Sequence, residues 1–167
     1  ISALANSAPI IISAPSNVTI PAQTPFALTA EVTDADNDPI TYNWEQMDTE
    51  ISTQPPSATS TDGPNFRSWS SSTSETRYFP RLSAIKNNGP FTWERISDVG
   101  RSMNFRVTVR DNSPGPGGCN DHEDVSVTVD GNSGPFLVTY PNVLGTVWYE
   151  TESRTVTWDI ANTDIAP

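Results

Sequence analysis

Three aspartates, Asp34, Asp36 and Asp38, fall within five residues of one another in the run Thr33–Pro39. Carboxylates at that spacing repel each other unless a hard cation sits among them, and Ca²⁺ takes six to eight oxygen ligands. Two further acidic clusters fit the same chemistry. Asp111 and Asn112 close one apolar-alternating run, and Asp121, Glu123 and Asp124 lead into the next. The expected ligand set is Asp34, Asp36, Asp38, Asp111 and Asp124, with Ca²⁺ as the ion. The competing reading is a set of solvated turns, because Asp and Asn favour turns for purely local reasons.

Other chemistries find less support. A zinc peptidase centre of the HExxH kind needs two histidines on one helical face, and His122 is the only histidine. A Ser/His/Asp arrangement around His122 lacks a nucleophile elbow such as GxSxG. Paired carboxylates for glycoside hydrolysis are always to be found in an acidic chain and therefore carry a weak signal. Trp69, Trp93 and Trp148 lie in or near loops, where an exposed ring could contact a sugar or polymer ligand. Aromatics in such places also serve as local core.

The elements that must position these groups are strands. Phe26, Leu28, Ala30 and Val32 alternate with Ala27, Thr29 and Glu31, and Ile40, Tyr42 and Trp44 alternate with Thr41, Asn43 and Glu45. This period of two is the signature of strands with one buried face. It returns at Met103, Phe105, Val107 and Val109, and again at Val125, Val127 and Val129. The pattern predicts an all-β, immunoglobulin-like sandwich of the PKD or cadherin kind over 17–133, whose first strand lies near Asn17–Ile20. In such a sandwich the loops after Val32 and Val109 share one end, so acidic residues distant in sequence converge. Trp44 matches the buried tryptophan of the third strand.

The segment from about 47 to 100 is too long for an ordinary connection. Its aromatic content predicts an elaborated, partly ordered insertion packed on the sandwich. Residues 1–16 read as a linker. Asp130-Gly131-Asn132-Ser133-Gly134 is a strong break, and Phe136, Val138, Tyr140, Val156, Trp158 and Ile160 beyond it alternate again. Residues 134–167 thus read as the first strands of a truncated second sandwich, with an open edge available for self-association.

The bulk properties agree. The 167 residues carry a net charge of −11, with nine Lys and Arg in all, which argues against a nucleic-acid partner. No apolar run approaches the roughly 20 residues of a membrane helix, so no membrane insertion is expected. Cys119 stands alone, so an internal disulfide is excluded. An extracellular life then calls for another staple, a part that calcium would fill.

The phrases TDADNDPITYNWEQ, GPNFRSWSSSTSETRYFPRLSAI, MNFRVTVRDN, GPFLVTYPN and TVTWDIANTDIAP together carry a family likeness. The chain resembles the non-catalytic immunoglobulin/PKD-like region that follows the catalytic domain in secreted reprolysin-like zinc metallopeptidases of Bacteroidetes-type bacteria. That resemblance implies a secreted or cell-surface accessory module, joined to the rest of a parent polypeptide and often holding calcium. It implies no peptidase activity in this chain. In the family pattern a cysteine often stands where this sequence has Asn43, which leaves Cys119 without its usual partner. The alternative function is a module that holds an extracellular polymer, glycan or cell surface through its exposed aromatics.

Overall fold

A computed structural model describes residues 6–114 and 117–165. The described residues are all-β apart from one short helix. Its centre is the hairpin of β7 (Arg101–Asp111) and β8 (Asn120–Asp130), antiparallel from Arg101↔Val129 to Arg110↔Asn120. β5 (Ile40–Gln46) flanks β7 in antiparallel register, and β2 (Val18–Pro21) flanks β8 in parallel. The four-stranded sheet therefore runs β2-β8-β7-β5.

Alternation does the sorting. Met103, Phe105, Val107 and Val109 of β7, Val125, Val127 and Val129 of β8, and Tyr42 and Trp44 of β5 are buried together. The residues between them face outward or are half-covered. Against this apolar face lies the antiparallel pair of β3 (Phe26–Thr29) and β6 (Thr76–Phe79). Phe26 stacks on Phe79 at 5.0 Å between ring centroids, and Phe79 meets Phe105 at 4.8 Å. Phe66 closes the cluster against Phe26, Phe79 and Phe105.

The run that alternates from Phe26 to Val32 changes partners midway. β3 pairs with β6, whereas β4 (Glu31–Thr33) pairs with β1 (Ile10–Ser13). The crossover falls at Ala30, which is fully buried and donates its N–H to the Glu75 carbonyl. A methyl side chain fits where the two pairs part. Residues 1–16 are correspondingly more than a linker, since they hold β1, whose Ile11 packs against the core. Residues 1–5 lie outside the described part.

The segment from 47 to 100 is integral to the core and not an appendage on it. It supplies β6 and Phe66, together with α1 (Leu82–Lys86). Arg101, its side chain fully covered, ties this segment to the sheet. Its guanidinium donates to the Ser60 and Gly63 carbonyls and lies 3.9 Å from Asp48. Asp48 in turn accepts from the backbone and side chain of Asn104.

β9 (Leu137–Tyr140) and β10 (Thr157–Asp159) form a separate antiparallel pair. Every residue of both strands is exposed. The pair is rooted at Gly134, which has φ +89° and an N–H bonded to the Ala161 carbonyl at 2.7 Å. A Cβ there would fall 2.5 Å from the Ala22 carbonyl oxygen, so only glycine lets the chain pass this close. Among the described residues no helix is long and apolar enough to cross a membrane.

Candidate metal centre

The loop between β4 and β5 is wound around one carboxylate. Asp34 Oδ1 accepts the backbone N–H groups of Asp36 (2.9 Å) and Asp38 (3.0 Å), and Asn37 turns through φ +58°. Asn is among the residues that tolerate this left-handed conformation. The result brings one carboxylate oxygen each from Asp34, Asp36 and Asp38 within 4.8 Å of one another. Oxygens that ligate Ca²⁺ at 2.3–2.6 Å can lie at most about 5 Å apart, across the ion. The three carboxylates therefore meet the spacing that a shared cation requires. Asp34 Oδ2 is buried without a hydrogen-bond partner. A buried carboxylate oxygen left so is costly unless it meets a cation or a donor.

Asp111 comes to the same end of the molecule. It stands opposite Ile40 in the β5–β7 register, and Asn112 donates its backbone N–H to the Pro39 carbonyl at 2.8 Å. The loops after β4 and β7 thus share an end. The Asp111 carboxylate, though, is already engaged, accepting from Asn6 Nδ2 at 2.7 Å and from the Cys119 N–H at 2.6 Å. Asn6 and Ser7 straddle the two acidic positions, because the Ser7 N–H donates to Asp36 Oδ2 at 2.7 Å. Nothing local in the sequence marks Asn6 or Ser7 as part of this end. Their contacts span more than 25 residues and arise only from the fold.

Asp124 is a correction to the expected ligand set. The acidic run does not precede β8 but lies within it, and Asp124 sits opposite Arg106. That is five residues along β7 from Asp111, or about 17 Å at the ~3.4 Å rise of an antiparallel strand. Its two oxygens accept from Arg106 Nε (2.6 Å) and Nη2 (2.7 Å). Those bonds hold its carboxyl below the usual range. Asp121 is also elsewhere employed, accepting the Ile11 N–H at 3.3 Å.

The aromatics are dispersed. Trp69 is half-buried, its indole N–H donating to Glu94 Oε1 at 3.0 Å. Trp93 and Trp148 are each 45% exposed, the latter in the connection between β9 and β10. Cys119 is a half-buried free thiol.

No family model matches the chain, and no curated protein matches it either. Among solved structures it is similar to a nucleoside hydrolase-related hypothetical protein from Saccharophagus degradans that is associated with carbohydrate metabolism. The two are 16% identical with a TM-score of 0.46, and the match covers 75% of this chain and 26% of that one. The chain spans about a quarter of that protein's length, and a likeness at this level carries no argument about activity.

Proposed function

We propose that this chain is a non-catalytic, calcium-stabilised accessory module with an immunoglobulin/PKD-like sandwich, serving a secreted multidomain metallopeptidase. The observation that supports it best is the convergence of the Asp34, Asp36 and Asp38 carboxylates, one of which, Asp34, also has a buried, unpartnered oxygen. An ion held there offsets their mutual repulsion and stiffens the loop between β4 and β5. Through Ser7 on Asp36 and Asn6 on Asp111, it also braces the segment that enters the module. The remaining ligands would be water or backbone oxygens. The role is mechanical, a folded spacer whose rigidity depends on the ion.

Thermal melts in calcium and in chelator test this reading. Binding to the native state alone stabilises by about 2.7 kcal/mol at a hundredfold excess over Kd, so the midpoint should rise with calcium. Asp36→Asn should abolish the rise, while Glu152→Gln, on an exposed residue paired with Arg154, should keep it. Equal midpoints with and without calcium would remove the proposal. The isolated chain should hydrolyse neither casein, gelatin nor simple glycosides.

A second reading, a module that holds polymer or a cell surface, is favoured by the exposure of Trp93 and Trp148. Retention on an insoluble polysaccharide or collagen matrix, lost when both become Ala, would support it.

A further inference from the structure

Between β5, β6 and the segment leading from Trp69 lies an open cleft of about 240 Å³ that the calcium reading does not use. One buried acid outside its lining holds several of the lining residues. Glu94, 6% exposed, pairs with Arg77 at 3.0 Å and accepts the Trp69 indole N–H at 3.0 Å on the same oxygen. Its other oxygen accepts the Arg81 backbone N–H at 3.1 Å. Arg77 also donates to the Trp44 and Arg67 carbonyls. One carboxylate therefore holds three cleft residues of the 69–81 segment, and it spends its charge on Arg77.

The side chains left over have unused capacity. The Arg81 and Arg67 guanidinium groups lie over the Trp69 ring, and neither has an acidic partner among the described residues. Tyr42 is 6% exposed and lines the cleft, yet its hydroxyl makes no hydrogen bond among the described residues. Burial, and then the charge of Glu75, raise its pKa, so it stays a proton donor at neutral pH. Asn43 and Tyr78 also line the cleft, and neither side chain makes a hydrogen bond among the described residues. Tyr78 exposes 42% of its surface.

We infer that this cleft binds a sugar residue carrying a single carboxylate. Arg81 receives the carboxylate, since a planar guanidinium matches it in two parallel bonds. Tyr42 and Tyr78 serve the ring hydroxyls, and the exposed Tyr78 ring offers an apolar face to the sugar. A peptide ligand fits less well. The free backbone edge of β5 is occupied at Tyr42, which exchanges bonds of 2.7 and 2.9 Å with Ser72. Strand addition there has no open partner. The net charge of −11, with Glu75 and Glu45 near the cleft, opposes a densely charged polymer and favours one carboxylate over many.

The test is an NMR titration of the whole chain, followed at the Trp69 indole N–H, with glucuronic acid, glucose and acetate as separate probes. Glucuronic acid should shift that resonance with weak, millimolar affinity, and glucose and acetate should each bind at least about tenfold more weakly. Arg81→Ala should weaken glucuronic acid by about tenfold or more, Arg81→Lys by less, and Tyr42→Phe by several-fold at an unchanged melting temperature. Chelator should leave binding intact, which separates this site from the calcium proposal. The inference is overturned if glucuronic acid causes no shift, if acetate or glucose matches it, or if folded Arg81→Ala binds like the parent.

Discussion

At the scale of single residues, the costly commitments are charges withdrawn from water. Glu94 and Arg77 are 7% and 13% exposed at their side chains, and burial lowers the Arg77 pKa despite the pair. Removing one partner of such a pair leaves the other uncompensated, a loss of about 3–5 kcal/mol. Glu94→Ala should therefore lower stability by that order, and it should also release Trp69 and Arg81, which near-ultraviolet circular dichroism would report. The surface carboxylates act more gently. The hydrogen bonds from Arg106 depress the pKa of Asp124, and the Asn132 backbone N–H depresses that of Asp130. A depressed folded-state pKa means that the stabilisation is fully present above the unfolded value near 3.8 and is lost as pH falls through the folded one. Melting temperature should thus decline as pH drops below about 4, and Asp130→Asn should flatten part of that decline. Asp124 is exposed and ion-paired, so its share of the effect should shrink in high salt.

At the scale of elements, the core depends on a segment whose sequence hides its role. The alternation in β5, β7 and the second half of β8 was open to direct reading, because there buried apolar residues alternate with more open ones. β6 is four residues long, follows a Ser-rich stretch, and buries only Phe79 fully. Its partner β3 lies 47 residues away in the pairing Thr29↔Thr76, so no local pattern announces it. The change of partner at Ala30 was equally hidden, since an unbroken period of two looks the same whether or not the strand crosses between sheets. Phe79→Ala should cost about 3–5 kcal/mol, as much as a change in the central hairpin. A denaturation midpoint for Phe79→Ala near that of the parent would mean that the 47–100 segment is dispensable. The acidic loop illustrates both sides. Asp34, Asp36 and Asp38 could be grouped because they are neighbours in sequence. Asp124 could not be excluded until the β7–β8 register put Arg106 across from it.

At the scale of the whole molecule, the chain divides by how its apolar residues are used. Every member of the buried core lies before Ser133. Beyond it Phe136, Leu137, Val138, Tyr140, Trp158 and Ile160 are each at least 42% exposed, and Leu144 is fully so. Two strands cannot close a core, and a lone pair is marginal in water. Contact with the body is made at the root, where Gly134 bonds Ala161 and the Asn162 amide donates to the Asn132 carbonyl. β9 and β10 each keep one edge unpaired among the described residues, an arrangement open to strand addition. Amides of β9 and β10 should therefore exchange hydrogen much faster than those around Phe105 and Val127. Sedimentation of the full chain should show concentration-dependent association, and a chain ending at Asn132 should remain monomeric with nearly the same melting temperature. A monomeric full chain whose β9–β10 amides are as protected as the central hairpin would show instead that residues 134–165 fold as a stable unit in their own right.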